Sequence, residues 1–292
     1  MKTTAHDELL AVIPTYQPTP ALLDLLDALA PQVYSILVSD DASQCTFDGI
    51  LRDANRKQKA AVLRHTRNAG VARGLNDGLR TARAANIPWL VTIDQDSRIG
   101  TKYVEDLVQA AHMRIALDDR LGAIGAETIR DAAGELTYPS SPSTHGPITE
   151  ELIQTGTLWS VPALIEIGGF DESLGIDAVD AAACLRLRER GYAIAIAPGI
   201  SVEHSIGSAR MVPFLGRTVM VTGHSPTRRT SMLRNRLRLF PAEFRQSPTH
   251  AVRTIRRVVA NQGLGLVLEG QRREDALGSL RGLVPKRSGA RS

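Results

Sequence analysis

Short apolar runs alternate with amphipathic segments through the first third of the chain. Leu9–Pro14, Tyr34–Ser39, Ala60–Arg64 and Trp89–Ile93 have the length and composition of strands buried in a sheet. Between them, Pro20–Leu29 and Val71–Ala85 carry apolar residues at helical spacing, Leu22, Leu23, Leu25, Leu26 and Leu29 in the first and Leu75 and Leu79 in the second. Phe47–Lys59 reads as a further helix. This β–α alternation predicts an α/β fold with a doubly wound, mostly parallel sheet. Further on, the pattern predicts helices over Tyr103–Ala116, Pro162–Ile167 and Ala178–Arg190, and strands over Leu121–Ala126, Gln154–Val161 and Ala193–Ala197. Residues 131–150 are rich in Ser, Pro, Thr and Gly and read as a long exposed loop. Past His204 the chain becomes Arg-rich, which predicts two or three helices to Leu283 and a disordered tail over Pro285–Ser292. The expected organisation is a catalytic domain over 1–210, a basic helical extension over 211–284 and the tail from 285.

Open α/β sheets bind ligands at the carboxyl ends of their strands, and four polar motifs fall there. They are Pro14-Thr15-Tyr16, Ser39-Asp40-Asp41-Ala42-Ser43, Asn68-Ala69-Gly70 with Asn76-Asp77-Gly78, and Asp94-Gln95-Asp96-Ser97. Residues two apart on extended backbone point the same way, so Asp94 and Asp96 can converge on one object. A divalent cation carrying a pyrophosphate suits such a pair, because Mg²⁺ takes a few carboxylates plus substrate phosphates. The competing reading is a solvated acidic turn, and Asp40 and Asp41 can equally cap the following helix.

Composition narrows the class. Hydrophobic residues are 43% of 292, enough for a sizeable core, and no apolar stretch reaches the ~18 residues of a membrane span. The acids Asp7 and Glu8 stand where a signal peptide needs an apolar segment, so secretion is not expected. Two cysteines, Cys45 and Cys184, are too few for a disulfide framework and fit a reducing cytoplasm. Charge is segregated: residues 228–292 hold 15 Arg and Lys against 4 Asp and Glu, and the rest hold 20 against 27. A basic tail suits an anionic surface, phospholipid or nucleic acid, or is an ordinary Arg-rich helical tail. Thr249–Val259 sets Val252, Ile255, Val258 and Val259 against Arg253, Arg256 and Arg257. Such a helix lies on an anionic bilayer or docks on the rest of the protein. With five Phe and two Trp in the chain, and no aromatics interleaved with the basic residues, stacking platforms for nucleic acid are scarce.

The motifs continue downstream in a fixed order: Gly156-Thr157-Leu158, Gly168-Gly169-Phe170-Asp171-Glu172, Ile176-Asp177-Ala178-Val179-Asp180, Cys184-Leu185-Arg186, Gly191-Tyr192, His204-Ser205-Ile206-Gly207 and Arg234-Asn235-Arg236. Together they resemble the family 2 inverting glycosyltransferases of the GT-A fold, over about residues 9 to 240. Asp-Gln-Asp-Ser, Ile-Asp-x-Val-Asp and the Arg-Asn pair look most like the rhamnosyltransferase branch. The resemblance implies a nucleobase pocket at Thr15 and Tyr16, and a base or ribose contact at Asp40. It implies a nucleotide turn at Asn68 and Gly70, with Arg73 near the phosphates. It further implies a ribose, sugar and metal-side carboxylate at Asp94, direct metal ligation by Asp96 completed by His204, and a catalytic base at Asp180. Arg234 reaches donor phosphates or is helix-surface charge. The cofactor implied is Mg²⁺ or Mn²⁺, the donor a dTDP- or UDP-sugar, and the acceptor a saccharide, polyprenyl-linked in one form.

That chemistry asks for these residue types. A cation offsets the negative charge of the departing diphosphate, and one carboxylate takes the acceptor's proton. Asp180 opens a helix whose dipole favours its ionised form. Relatives commonly carry Glu two positions after this Asp, then an aromatic residue; here Ala181-Ala182-Ala183 follows. The departure shifts base duty toward Asp177 or points to a nucleotide-sugar-binding protein with weakened catalysis. The leading expectation is transfer of L-rhamnose from dTDP-rhamnose in the cytoplasm, with membrane contact at the inner face of the plasma membrane.

Overall fold

Leu9 to Ile13 are five consecutive residues with at most 1% exposure, which is why the run does not alternate: the strand is covered on both faces. In the computed structural model, described over residues 8–131, 134–204, 210–214, 217–221 and 225–268, this strand is β1 (Leu9–Thr15), the middle of the sheet. The chain divides into two units, Met1–Ser205 and Ile206–Ser292.

In the first unit β1 is followed by α1 (Ala21–Leu29), β2 (Ser35–Asp40), α2 (Asp48–Ala54), β3 (Ala60–Arg64), α3 (Val71–Ala84), β4 (Trp89–Thr92) and α4 (Tyr103–Ala116). Then come β5 (Leu121–Asp131), β6 (Gly134–Thr137), β7 (Thr157–Ser160), α5 (Val161–Glu166), α6 (Val179–Glu189) and β8 (Ala193–Glu203). Strands β3, β2, β1 and β4 are mutually parallel in that order. The chain steps outward from β1 to β3 and returns on β1's other edge as β4, so the switch point lies between β1 and β4. β7 enters antiparallel to both β4 and β5, and β8 runs parallel to β5 on its far edge.

One face of β1, Leu9, Ala11 and Ile13, packs in a core cluster with Leu22, Leu26 and Leu29 of α1 and Val104 and Leu107 of α4. The other face meets α3 so closely that Gly78 has no room for a side chain and Gly74 has little. A Cβ on Gly74 would stand 3.2 Å from Pro14 Cβ, and one on Gly78 2.6 Å from Val12 Cβ.

Three expectations need correction. β5 and β8 run to Asp131 and Glu203, past the ends read from their apolar stretches. Their outer halves alternate, with Ile129 and Val202 buried between exposed Arg130 and Glu203, and Pro198-Gly199 is a bulge rather than a stop: the register moves from Ala126↔Ala197 to Thr128↔Ser201. Second, the stretch 131–150 contains β6, antiparallel to the outer half of β5, and a strap tied down by bridges Ser141–Ile148 and Ile148–Ala195. Third, the first described elements of the second unit are not helices. A two-stranded hairpin, β9 (Arg210–Phe214) and β10 (Arg217–Val221), comes first, then α7 (Pro226–Gln246) and α8 (Pro248–Leu268). The expected end of the helices at Leu283 and the tail from Pro285 lie outside the described residues.

The α3–β1 approach gives a stability test. Gly78→Ala is expected to cost about 1–2 kcal/mol by overpacking, despite a better helix former. In urea denaturation, Val12→Ala should then cost less in the Gly78→Ala background than alone.

Candidate functional site

β4 ends at Thr92, and Asp94-Gln95-Asp96-Ser97 turns at its carboxyl end, closed by Ser97 N–H donating to Asp94 O at 3.0 Å. β1 ends beside it. Gln95 locks the two ends together: its Oε1 accepts from Tyr16 N at 3.0 Å and its Nε2 donates to Tyr16 O at 3.0 Å. Because β8 runs in the same direction as β4, its last residues also reach this edge. Arg98 and Glu203 exchange backbone hydrogen bonds of 2.8 and 3.1 Å, which sets His204 against the turn. His204 Nε2 lies 3.4 Å from Asp94 Oδ2 and its Nδ1 3.6 Å from Asp96 Oδ1. Ser97 Oγ meets Nδ1 at 3.1 Å. Ligand atoms of Asp94, Asp96 and His204 all lie within 4.8 Å of one another. Two carboxylates and an imidazole fit a hard to borderline divalent cation such as Mn²⁺. Ser205-Ile206-Gly207, the remainder of that motif, lies outside the described residues.

β7, being antiparallel, begins where β4 ends, and so brings Gln154 and Thr155 to the same place. Thr155 Oγ1 accepts from Asp94 N at 3.0 Å and meets Ser97 Oγ at 2.7 Å. Gln154 Nε2 donates to Asp94 Oδ1, and Gln154 N–H donates to Asp180 Oδ2 at 3.1 Å. Neither residue stood out in the sequence, since which strand reverses is not written in local periodicity. The Gly156-Thr157 motif beside them was the available signal.

The nucleotide-side residues separate into surface and support. Tyr16 is 46% exposed, a ring on the rim. Thr15 is buried and donates to Ile13 O at 3.1 Å. Asp40 is fully buried: Ser43 Oγ and Ser43 N donate to its carboxylate, and Arg64 Nε stands 3.2 Å away. Its carboxylate closes the turn after β2, where a direct contact to base or ribose was expected of it. The neighbouring Asp41 takes Ala69 N at 2.7 Å and Gly70 N at 2.8 Å, holding the Asn68–Gly70 turn. Asn68 is exposed and Arg73 half-buried on α3. Gly70 has φ of 92° and a Cβ there would meet Gly175 O at 2.6 Å, so glycine is required. Asn76-Asp77-Gly78 lies inside α3 and is structural. Asn76 exchanges hydrogen bonds with the Phe170 backbone at 2.8 and 2.9 Å. Asp77 is buried against Ser39, His65 and Arg80.

Asp180 lies in the first turn of α6, partly exposed, while Asp177 is buried. The preceding Ala178 has φ of 64°, a left-handed conformation unusual for a side chain. Ala181, Ala182 and Ala183 are exposed by no more than 3%. The alanine run therefore faces inward and does not strip the solvent side of Asp180. Arg234 lies in the second unit, exposed on α7, where its Nη2 reaches Ser231 Oγ at 3.5 Å.

The sequence of residues 10–138 matches the family model described as glycosyl transferase family 2. Over these residues the chain resembles the family 2 glycosyltransferases, and the protein is a glycosyltransferase. It is similar to the dTDP-rhamnosyl transferase RfbF of Shigella flexneri, 27% identical over 245 residues that cover 79% of each chain. Two solved structures show the GT-A fold. Staphylococcus aureus TarS (residues 1–349) superposes with a TM-score of 0.57 at 16% identity, over 96% of this chain and 82% of that one. The mannosyltransferase PcManGT of Pyrobaculum calidifontis, in complex with GDP-Man and Mn²⁺, gives 0.58 at 17% identity, over 94% and 79%.

On the inner face of α6 the glycosyltransferase buries Cys184 completely, and burial pushes its thiol up to about 12. In the unfolded chain a thiol ionises near ~8.5. Between those values the unfolded state loses a proton that the native state keeps, so stability falls as pH rises. Chemical denaturation from pH 9 to 12 should show Cys184 contributing a loss of roughly 1 kcal/mol per pH unit, and Cys184→Ala should flatten that slope.

Proposed function

We propose that the protein transfers L-rhamnose from dTDP-rhamnose, with inversion, to a saccharide acceptor of the cell envelope, in a divalent-metal-dependent reaction. The observation that carries this reading is the similarity to a dTDP-rhamnosyl transferase over 79% of both chains. The site chemistry supports it. Asp94, Asp96 and His204 would hold Mg²⁺ or Mn²⁺, which when bound offsets the charge gathering on the nucleoside diphosphate. Tyr16 offers a ring face to the base, and the Asn68–Gly70 turn, with Arg73 near it, flanks the nucleotide. Asp180 takes the proton of the acceptor hydroxyl as its oxygen attacks the anomeric carbon. The bond to the diphosphate breaks on the opposite side, so one displacement inverts the centre, and a second nucleophilic carboxylate is not needed. Asp180 suits base duty better than Asp177, because it is partly exposed and tied through Gln154 to Asp94.

A thermal-shift and turnover panel tests this. With Mn²⁺, dTDP compounds should stabilise the protein, and Asp96→Ala should remove the metal-dependent part. Asp180→Asn should keep donor binding while losing at least ~100-fold in turnover. Stabilisation by UDP compounds and not by dTDP compounds would reject rhamnose as the donor sugar.

The proposal extends to membrane contact at the cytoplasmic face, where a polyprenyl-linked acceptor would be presented. Among the described residues no helix is long and apolar enough to cross a membrane. α8, however, exposes Val252 and Val259, 43% and 53%, beside exposed Arg253, Arg256 and Arg257, a mixed surface suited to anionic headgroups. The protein should float with vesicles containing phosphatidylglycerol and not with phosphatidylcholine alone. Replacing the three arginines with Glu should abolish flotation; equal flotation with both lipids would discard the charge argument.

A further inference from the structure

The carboxylate assigned to the acceptor and the carboxylate assigned to the donor stand on different elements, Asp180 on α6 and Asp94 after β4. An in-line displacement needs them in fixed relation, since an error of about 1 Å costs on the order of 10²-fold in rate. Gln154 touches both. Its backbone N–H donates to Asp180 Oδ2 at 3.1 Å, and its side-chain amide donates to Asp94 Oδ1.

Gln154 is itself held at every backbone group. Its carbonyl accepts from Thr92 Oγ1, the hydroxyl of a fully buried residue at the end of β4, and from Thr157 N at 3.3 Å. Thr92 Oγ1 in turn accepts from Trp159 Nε1 at 2.9 Å. On the preceding residue, Ile153 N–H donates to Tyr138 Oη at 3.0 Å and Ile153 O accepts from Thr157 Oγ1 at 2.7 Å. The next residue, Thr155, holds the Asp94 backbone. A backbone fixed this well gives the side chain a set origin from which to orient a carboxylate. A glutamine suits the place because its amide donates without adding a charge beside Asp94, Asp96 and His204. Gln154 Oε1 is buried with no hydrogen-bond partner among the described residues. An unpartnered buried acceptor is costly, so the side chain is not placed for its own stability.

We propose that Gln154 is a positioning residue of the transfer reaction, which sets Asp94 for the nucleotide and metal and registers Asp94 against Asp180. This rests on the glycosyltransfer reading of the site. It makes no use of which sugar is transferred.

The test is Gln154→Met, which keeps length and removes the amide, measured by calorimetry with dTDP, UDP and GDP in the presence of Mn²⁺. For whichever nucleotide the unmodified protein binds, Gln154→Met should weaken binding about tenfold, the loss of one hydrogen bond to a charged group. In an Asp94→Ala background the same change should matter less than twofold, because Gln154 acts through Asp94. Turnover should show a raised donor KM with acceptor KM unchanged. Equal weakening in both backgrounds, or none in either, overturns the proposal. Binding of UDP or GDP in place of dTDP bears on the donor assignment and leaves this comparison intact. A crystal structure of Gln154→Met decides the matter without any ligand: Asp94 should leave its contact with His204, and an unmoved Asp94 carboxylate overturns the proposal.

Discussion

The site depends on one reversal of strand direction. Three parallel strands running outward from β1 would place only β1, β2 and β3 ends together on one side of the switch point. β4 returns on the other edge of β1, and β7 then pairs with it antiparallel, Thr92 opposite Thr157. An antiparallel strand starts where its neighbour stops, so the segment before β7 is delivered to the carboxyl end of β4. The pairing is fastened from inside by Thr92, whose hydroxyl takes the Trp159 indole N–H and gives its proton to Gln154 O. Trp159 is fully buried and meets Phe170 edge-on at 5.4 Å. The polar chemistry at the edge is thus anchored in the apolar core behind it.

Gathering carboxylates at one edge raises a second constraint, their mutual repulsion. The structure answers it by giving most of them neutral donors rather than counter-charges. Asp94 takes an amide, Asp41 two backbone N–H groups and Asp40 the hydroxyl and N–H of Ser43, with Arg64 standing beside Asp40. Hydrogen bonds to ionised oxygens are the stronger kind, and neutral donors leave the negative potential in place. Asp96 is the most open member of the cluster, its side chain 52% exposed against 27% for Asp94 and 16% for His204. The order of exposure matches a division of labour in which the outer carboxylate meets an incoming cation and the inner one is held still.

The sequence carried the parallel half of the fold and the identity of the strand-end motifs, because buried parallel strands and the helices over them have strong, distinct periods. It carried Asp94, Asp96 and His204 as a group only through motif order; their convergence needs β8 to be parallel to β5 and eleven residues long. Pro198-Gly199 hid that length, since a bulge and a strand end use the same residues. Asp40 and Asn76-Asp77-Gly78 show the opposite difficulty, their side chains being bonded within the protein. A polar residue at a strand end can support the site from below as well as line it, and composition does not distinguish the two. Gln154 was silent because its importance lies in what it spans.

The remaining question is how Asp180, on a helix remote in sequence from the donor motifs, is kept in register with them. Gln154 is one tie, but the loop leading into α6 is fixed independently by α3. Asn76 takes and gives a hydrogen bond at Phe170, and its amide also reaches Glu172 at 2.8 Å. Gly70, in the turn held by Asp41, packs directly on Gly175. The same turn that flanks the nucleotide therefore abuts the loop that carries Asp177 and Asp180. The left-handed Ala178 at the mouth of α6 is a strained conformation that persists only where surroundings over-determine it. Here they do: α3 holds the loop from before and Gln154 holds Asp180 from beside. A rigid link of this kind makes the alanine run after Asp180 less damaging than its sequence suggests, since the base is oriented by neighbours outside α6.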